Sequence, residues 1–323
     1  MKIAGARFVV TGGAGFIGSH LVDALLREGA ASVAVVDNFF LGRDENLAEA
    51  RAAHGDALRV YRDDAGSERV MTAVVERERP DVVFNLATKA LAYSFFNPAG
   101  ALDVNVHLAL TQLELLRKGA FGRLVHLSSS EVYGTAQVVP MPEEHPLLAE
   151  TTYAAGKAAA DLAVASYVRM FGVDACIVRP FNNYGPRQND QAFAAVIPLT
   201  VRRIRAGEPP VIEGDGQQTR DFVYVADTVD ALLRLLGRDD LRGRVLNVGS
   251  GRETAIGTIV ESIAKLLRWS GDVRRAPPRP ADVRRHCAAV DKIEALVGPV
   301  ARTPLEEGLE RTVRWYVELS ERR

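Results

Sequence analysis

The sequence predicts an α/β protein, a Rossmann-type doubly wound parallel sheet with a smaller C-terminal α+β domain. Three observations predict it. A glycine turn, Gly13-x-Gly15-x-x-Gly18, joins an apolar, β-branched strand to a helix. The first half of the chain then alternates strand-length and helix-length patterns, as βαβ units do. From Arg179 onward, prolines and glycines break that rhythm into short elements.

Lys2-Ile3 and the run 7–10 begin the first strand, and the glycines turn the chain into a helix over 19–28. Glycine lets the backbone approach a pyrophosphate, which sits on the positive helix N-terminus. Gly12, Gly15, Phe16, Ile17 and Gly18 are therefore candidate dinucleotide contacts. The second strand, 32–36, ends in Asp37. That lies about 20 residues past the glycines, where a carboxylate can hold a ribose 2′-hydroxyl. Its charge repels a 2′-phosphate, so the predicted cofactor is NAD, with Asn38 beside it.

A helical stretch 45–54 precedes a third strand, 58–61, which ends near Asp63 and Asp64. After a helix over 67–78, strand 81–87 carries Leu86 and Ala87 to its end, and a loop fills 88–98. A helix over 101–118 leads to strand 123–128, and a helix over 152–171 to strand 174–178. In such a sheet ligands bind at the carboxyl ends of the strands. Short strands at 223–225 and 245–248 flank a helix at 226–236, and Thr303-Pro304 opens a last helix to 321. We divide the chain into an NAD-binding domain, 1–179, and a second domain, 180–323, some segments of which return to the first.

With 47% hydrophobic and 25% charged residues and a net charge of -1, the chain offers no electrostatic case for nucleic acid or an acidic membrane. Cys176 and Cys287 form no disulfide framework, and reduced thiols fit the cytoplasm. Met1 runs straight into the first strand, which predicts no signal peptide, and no apolar run is long enough to span a membrane. The six histidines lack metal-ligand spacing, so no metal is expected, and His126 reads as a packed strand residue.

Tyr153 and Lys157 stand four apart at a helix start, on one face. An ammonium stabilises a neighbouring phenolate, so Tyr153 is a candidate general base. Ser128, Ser129, Ser130 and Glu131 close the strand 123–128, where ligand is expected.

The glycine loop, Ser129, Tyr153 and Lys157, in this order, resemble the extended short-chain dehydrogenase/reductase family and, more narrowly, its NAD-dependent nucleotide-sugar epimerase/dehydratase branch. The stretches 179–187 and 214–225 extend the resemblance over nearly the whole chain. It implies a nucleotide-diphosphate sugar as substrate, with Ser129 and Tyr153 on its 4-hydroxyl and Tyr153 as the base. Lys157 would hold the nicotinamide ribose and Asp37 the adenosine ribose, while Asn182, Arg187, Arg220 and Arg285 would serve the substrate. A homodimer through the helices 101–118 and 152–171 is also implied.

Oxidising a sugar at C4 gives a ketone that acidifies C5–H, so one first step serves elimination, decarboxylation or inversion at C4. Glu131 discriminates, because relatives that remove the C5 proton carry glutamate at this place and epimerases a small residue. We therefore expect an NDP-hexose 4,6-dehydratase. The alternatives are a C4 epimerase of the UDP-glucose or UDP-uronate type and a UDP-glucuronate decarboxylase. More remote is a non-catalytic dinucleotide sensor, which would have been free to lose Ser129, Tyr153 and Lys157. Two departures stand out: Ser130 replaces the aspartate of dTDP-glucose dehydratases, and Lys89 occupies a loop that reaches toward substrate.

Overall fold

The computed structural model describes residues 1–321. The first strand, β1 (Arg7–Thr11), starts later than expected, because residues 2–5 form a turn. Helix α1 (Phe16–Arg27) starts three residues earlier than expected, directly on the glycine turn. β2 (Ser32–Val36), α2 (Ala48–His54), β3 (Leu58–Tyr61), α3 (Glu68–Glu78) and β4 (Val82–Asn85) follow. The expected helix at 45–54 is split, its first turn being a 3-10 helix, Asp44–Leu47. Another 3-10 helix, Leu91–Phe95, occupies the loop after β4.

Side chains define where the next helices begin. Asn97 caps α4 (Pro98–Arg117), its Oδ1 accepting from the Gly100 amide at 2.9 Å, with proline in the first turn where no donor is missed. β5 (Arg123–Leu127) leads through a 3-10 turn, Ser130–Tyr133, to α5 (Thr152–Phe171), which Thr151 caps through the Ala154 amide at 3.2 Å.

β6 (Ala175–Pro180) runs two residues further than expected. Beyond it come β7 (Asn182–Tyr184), α6 (Val196–Arg205), β8 (Val211–Glu213), β9 (Thr219–Arg220) and β10 (Phe222–Tyr224). Val225 already belongs to α7 (Val225–Leu236), so the strand expected at 223–225 is shifted back by one residue. β11 (Val245–Val248), β12 (Thr254–Ala255), α8 (Ile256–Leu266), β13 (Arg274–Ala276), α9 (Asp291–Val297) and α10 (Leu305–Glu321) complete the described chain.

Seven parallel strands form the main sheet in the order β11-β6-β5-β4-β1-β2-β3. The order reverses between β1 and β4, which opens a crevice at their carboxyl ends. Successive residues of β1 face opposite sides: Phe8 and Val10 join one core, and Val9 the other. The first core sets Leu21 and Leu25 of α1 against Leu232 and Leu236 of α7. The second packs α3, α4 and α5 on the reverse face. Thus β11 and α7 return to the N-terminal layer, while Ile197, Ile259, Ile263, Leu309 and Val313 build a separate core under the late elements. Cys176 and Cys287 are both buried, free thiols.

Candidate active site

A cleft of about 710 Å³ opens at the carboxyl ends of the strands, between the sheet and the late elements. Its floor is the glycine turn. Gly12 has φ +70°, and a Cβ there would meet the Ala87 backbone at 2.8 Å. A Cβ on Gly18 would lie 2.2 Å from the Gly12 carbonyl oxygen. Only glycine fits this close packing of turn, strand and helix. Helix α1 begins without a side-chain cap and without an acidic first turn, so its leading amides remain available to an anion. Gly12, Gly15, Phe16, Ile17, Gly18, Leu86 and Ala87 all border the cleft, and this cradle fits a dinucleotide pyrophosphate.

Asp37 lies at the cleft, 8% exposed. Its Oδ2 accepts from the Ala14 amide at 2.9 Å and its Oδ1 from the Phe39 amide at 2.8 Å. Burial pushes its pKa up, and these amides oppose the rise. Asn38 and Asp64 border the cleft as well. Asp63 does not: it is exposed outside the wall, its carboxylate accepting from the Asp64 amide at 3.3 Å.

At the carboxyl end of β5 the cleft gathers Ser129, Glu131, Tyr153 and Lys157. Ser129 caps the 3-10 turn that carries Glu131, accepting its amide at 3.2 Å. Tyr153 was expected to have a lowered pKa through Lys157; instead burial pushes the phenol up to about 12. Hydrogen bonds with Ser129 and Thr88 pull it down, and the charge of Glu131 pushes it up. Lys157 is turned to the Leu127 carbonyl, with Nζ at 2.9 Å, and burial pushes its pKa down to about 8. Glu131 is raised by burial, against the pull of Arg220 and Arg279.

Two expected substrate residues, Ser130 and Arg285, lie outside the cleft wall, and a third, Arg187, borders it with its guanidinium already paired. Ser130 is 2% exposed and turned away from the cleft, toward Nδ1 of His286 at 3.5 Å. The 3-10 turn alternates its side chains, so Glu131 enters the cleft as Ser130 leaves it. Arg187 borders the cleft, but its guanidinium is committed to Asp23 at 2.6 Å and Glu49 at 3.3 Å. Arg285 is outside the wall, paired with Glu253 at 2.5 Å.

Asn182, Arg220 and Lys89 are in the wall. Asp282 holds Arg220 at 2.8 Å, and the ammonium of Lys89 rests 3.5 Å over the Phe40 ring. Sequence reasoning missed Arg203, Arg279 and Phe193, which also line the cleft. Nothing in their spacing marks them, because separate late segments bring them in. Phe193 stacks on Phe40 with ring centroids 6.3 Å apart, and Arg43 pairs with Asp190 at 2.6 Å beside it. The segment around 186–193 therefore straps the cleft from above. Among the described residues, no helix is long and apolar enough to cross a membrane, and no group of three or more His, Cys, Asp or Glu side chains could hold a metal.

Comparison with known proteins agrees with this geometry. The family model described as GDP-mannose 4,6 dehydratase matches residues 9–312. A UDP-glucose 4-epimerase of Mycolicibacterium smegmatis is 34% identical over 312 residues, covering 96% of this chain and 98% of the relative. A UDP-glucuronic acid decarboxylase of Arabidopsis thaliana is 33% identical over 310 residues, covering 94% and 87%. The crystal structure of a dTDP-glucose 4,6-dehydratase from Streptomyces venezuelae, solved with NAD bound, superposes with a TM-score of 0.90 at 32% identity, covering 97% of each chain. A Rossmann sheet with this cleft defines a nucleotide-dependent enzyme of the short-chain dehydrogenase/reductase class. Within that class, the chain belongs to the NAD-dependent nucleotide-sugar epimerase/dehydratase family.

Proposed function

We propose that the protein is a 4,6-dehydratase of a nucleoside-diphosphate hexose. The observation that carries this reading is the Glu131 carboxyl, which shares the cleft with Tyr153 and Ser129 closely enough for its charge to act on the phenol. Inversion at C4 leaves C5–H untouched and needs no such group.

Gly12, Gly15, Gly18 and Asp37 would hold NAD, with Lys157 on the nicotinamide ribose. Bound there, it supplies a reversible acceptor for the hydrogen and electron pair of a carbon–hydrogen bond. Tyr153, in its phenolate form and oriented by Ser129, takes the proton of the C4 hydroxyl as C4 becomes a ketone. The ketone acidifies C5–H, and Glu131 takes that proton. The C6 hydroxyl then leaves as water. Two protons have been removed from the sugar: one departs with the water and one returns to C5. The electron pair taken at C4 ends as a new bond to hydrogen at C6, so the cofactor is regenerated. Ser130 faces away, so in this reading Glu131 also returns a proton to the leaving oxygen. Arg220 and Arg279 suit the diphosphate.

The reading extends to a homodimer on α4 and α5, whose outer faces expose Leu102, Leu110, Leu162 and Met170. It extends equally to a cytoplasmic setting, which suits the two free thiols.

Incubation with a panel of nucleoside-diphosphate hexoses and hexuronic acids, followed by mass spectrometry, tests the function. Loss of one water is expected. Loss of carbon dioxide from a uronic acid assigns a decarboxylase instead. An unchanged mass with a new isomer assigns an epimerase.

A further inference from the structure

Behind the cleft lies a set of buried charges that the proposed reaction does not use. Asp161 follows Lys157 by one helical turn on α5, a spacing that stacks both side chains on one face. Lys157, Asp161 and Arg179 are 3%, 2% and 4% exposed. Oδ2 of Asp161 accepts from Nε of Arg179 at 2.8 Å. Its Oδ1 has no hydrogen-bond partner and faces the equally unpartnered Nε2 of His126 at 3.8 Å. Arg179 spends its other donors on the Tyr133 hydroxyl at 2.9 Å and the Glu143 carbonyl at 3.1 Å. Lys157 makes one hydrogen bond, to the Leu127 carbonyl.

A buried ammonium gives up its proton unless an anion stands near. Two cations, Lys157 and Arg179, meet here around one carboxylate. We propose that Asp161, anchored by Arg179, supplies the buried negative charge that keeps Lys157 cationic beside the cleft. Around the cluster, β5 contributes His126, its end Ser128, β6 Arg179, the turn after the serines Glu131 and Tyr133, the following loop the buried Glu143, and α5 itself Tyr153. The buried face of α4 contributes only neutral polar groups, Asn105, Thr111 and Gln112. Of these carboxylates, Asp161 is the one whose charge opposes the downward push of burial on Lys157; burial pushes Asp161 itself up, and Arg179 opposes that rise.

The inference rests on the reading of Lys157 as the cation that serves Tyr153 and the ribose, and is independent of which sugar reacts. It is tested on the NAD-loaded protein labelled with 13C at the lysine ε-carbons. Lys157 is titrated by NMR and assigned by the loss of its signal in Lys157→Met. The wild-type midpoint is the reference, expected below that of a free lysine because burial pushes Lys157 down. Asp161→Asn is expected to titrate at least about one pH unit lower, a tenfold change in proton affinity, and Asp161→Glu close to wild type. Arg179→Gln, which leaves Asp161 uncompensated, is expected to move Lys157 upward. If Asp161→Asn alone does not fold, Asp161→Asn with Arg179→Gln is compared with Arg179→Gln alone, below which its midpoint is expected to lie, and equal midpoints in these two overturn the proposal. An unchanged Lys157 midpoint in folded Asp161→Asn likewise overturns the proposal. Turnover retained by Lys157→Met would instead overturn the reading of the site, and the titration answers separately for Asp161.

Discussion

Glu131 and Tyr153 share the cleft at the carboxyl end of β5, where burial pushes the pKa of the phenol up, Ser129 pulls it down and the Glu131 carboxylate adds to the rise. A base and an opposing negative charge are thus set side by side. An enzyme that only oxidises and reduces C4 gains nothing from this. One that must also remove a proton from C5 does.

The pair has a signature in pH. On the proposed mechanism Tyr153 is the base in its deprotonated form, so the rate of C4 oxidation should rise with pH until the phenol has titrated. Glu131→Gln removes the negative charge that raises the phenol, so the rising limb moves to lower pH. Stopped-flow measurement of cofactor reduction against pH checks the direction of the shift.

The two arginines near residue 280 should separate. Both are ion-paired, Arg279 with Glu213 at 2.8 Å and Asp282 at 3.1 Å and Arg285 with Glu253 at 2.5 Å, but only Arg279 lines the cleft. Arg279→Ala should raise KM about 10- to 100-fold, the worth of a charge-assisted hydrogen bond of about 1.5–3 kcal/mol. Arg285→Ala should leave KM within about twofold, as expected for an exposed ion pair. Steady-state kinetics on the two variants decides.

The strap above the cleft should govern cofactor retention. Phe193 stacks on Phe40, and Arg43 binds Asp190 at 2.6 Å. Phe193→Ala should speed NAD release about tenfold, the equivalent of an aromatic contact of about 1.4 kcal/mol. The NAD content remaining after gel filtration, and the rate of its exchange with labelled NAD, give the readout.

Lys157 should carry a cost in stability. Its pKa falls from 10.5 in the unfolded chain to about 8 in the fold. A lowered folded value means that the stability is present above 10.5 and lost as pH falls through about 8. At pH 7 the buried charge costs on the order of 3 kcal/mol. Lys157→Met should therefore unfold at a higher temperature than wild type at pH 7 when both are free of NAD. The difference should shrink above pH 10, and calorimetry at the two pH values measures it.

Much of the fold was legible because local chemistry marks it. The glycine turn and the parallel strand rhythm are written in adjacent residues. The same holds for Tyr153 and Lys157, whose helical spacing fixes a shared face. The start of α4 at Pro98, capped by Asn97, falls instead in a stretch expected to be loop. What failed to read was side-chain direction in irregular backbone. Ser130 and Glu131 are neighbours, yet one turns to His286 and the other into the cleft. Arg187 carries the family pattern, but Asp23, 164 residues away, claims its guanidinium. Arg279 and Phe193 reach the cleft only through tertiary packing of late segments, and no spacing in the sequence announces that.

The most direct test of Glu131 as the C5 base is deuterium incorporation. The enzyme is incubated in heavy water with the nucleotide hexose it turns over, and the product is examined by mass spectrometry and NMR. This account predicts loss of one water with one deuterium at C5 from the wild type, and neither from Glu131→Gln. A product of unchanged mass and free of deuterium, formed equally well by Glu131→Gln, would contradict it.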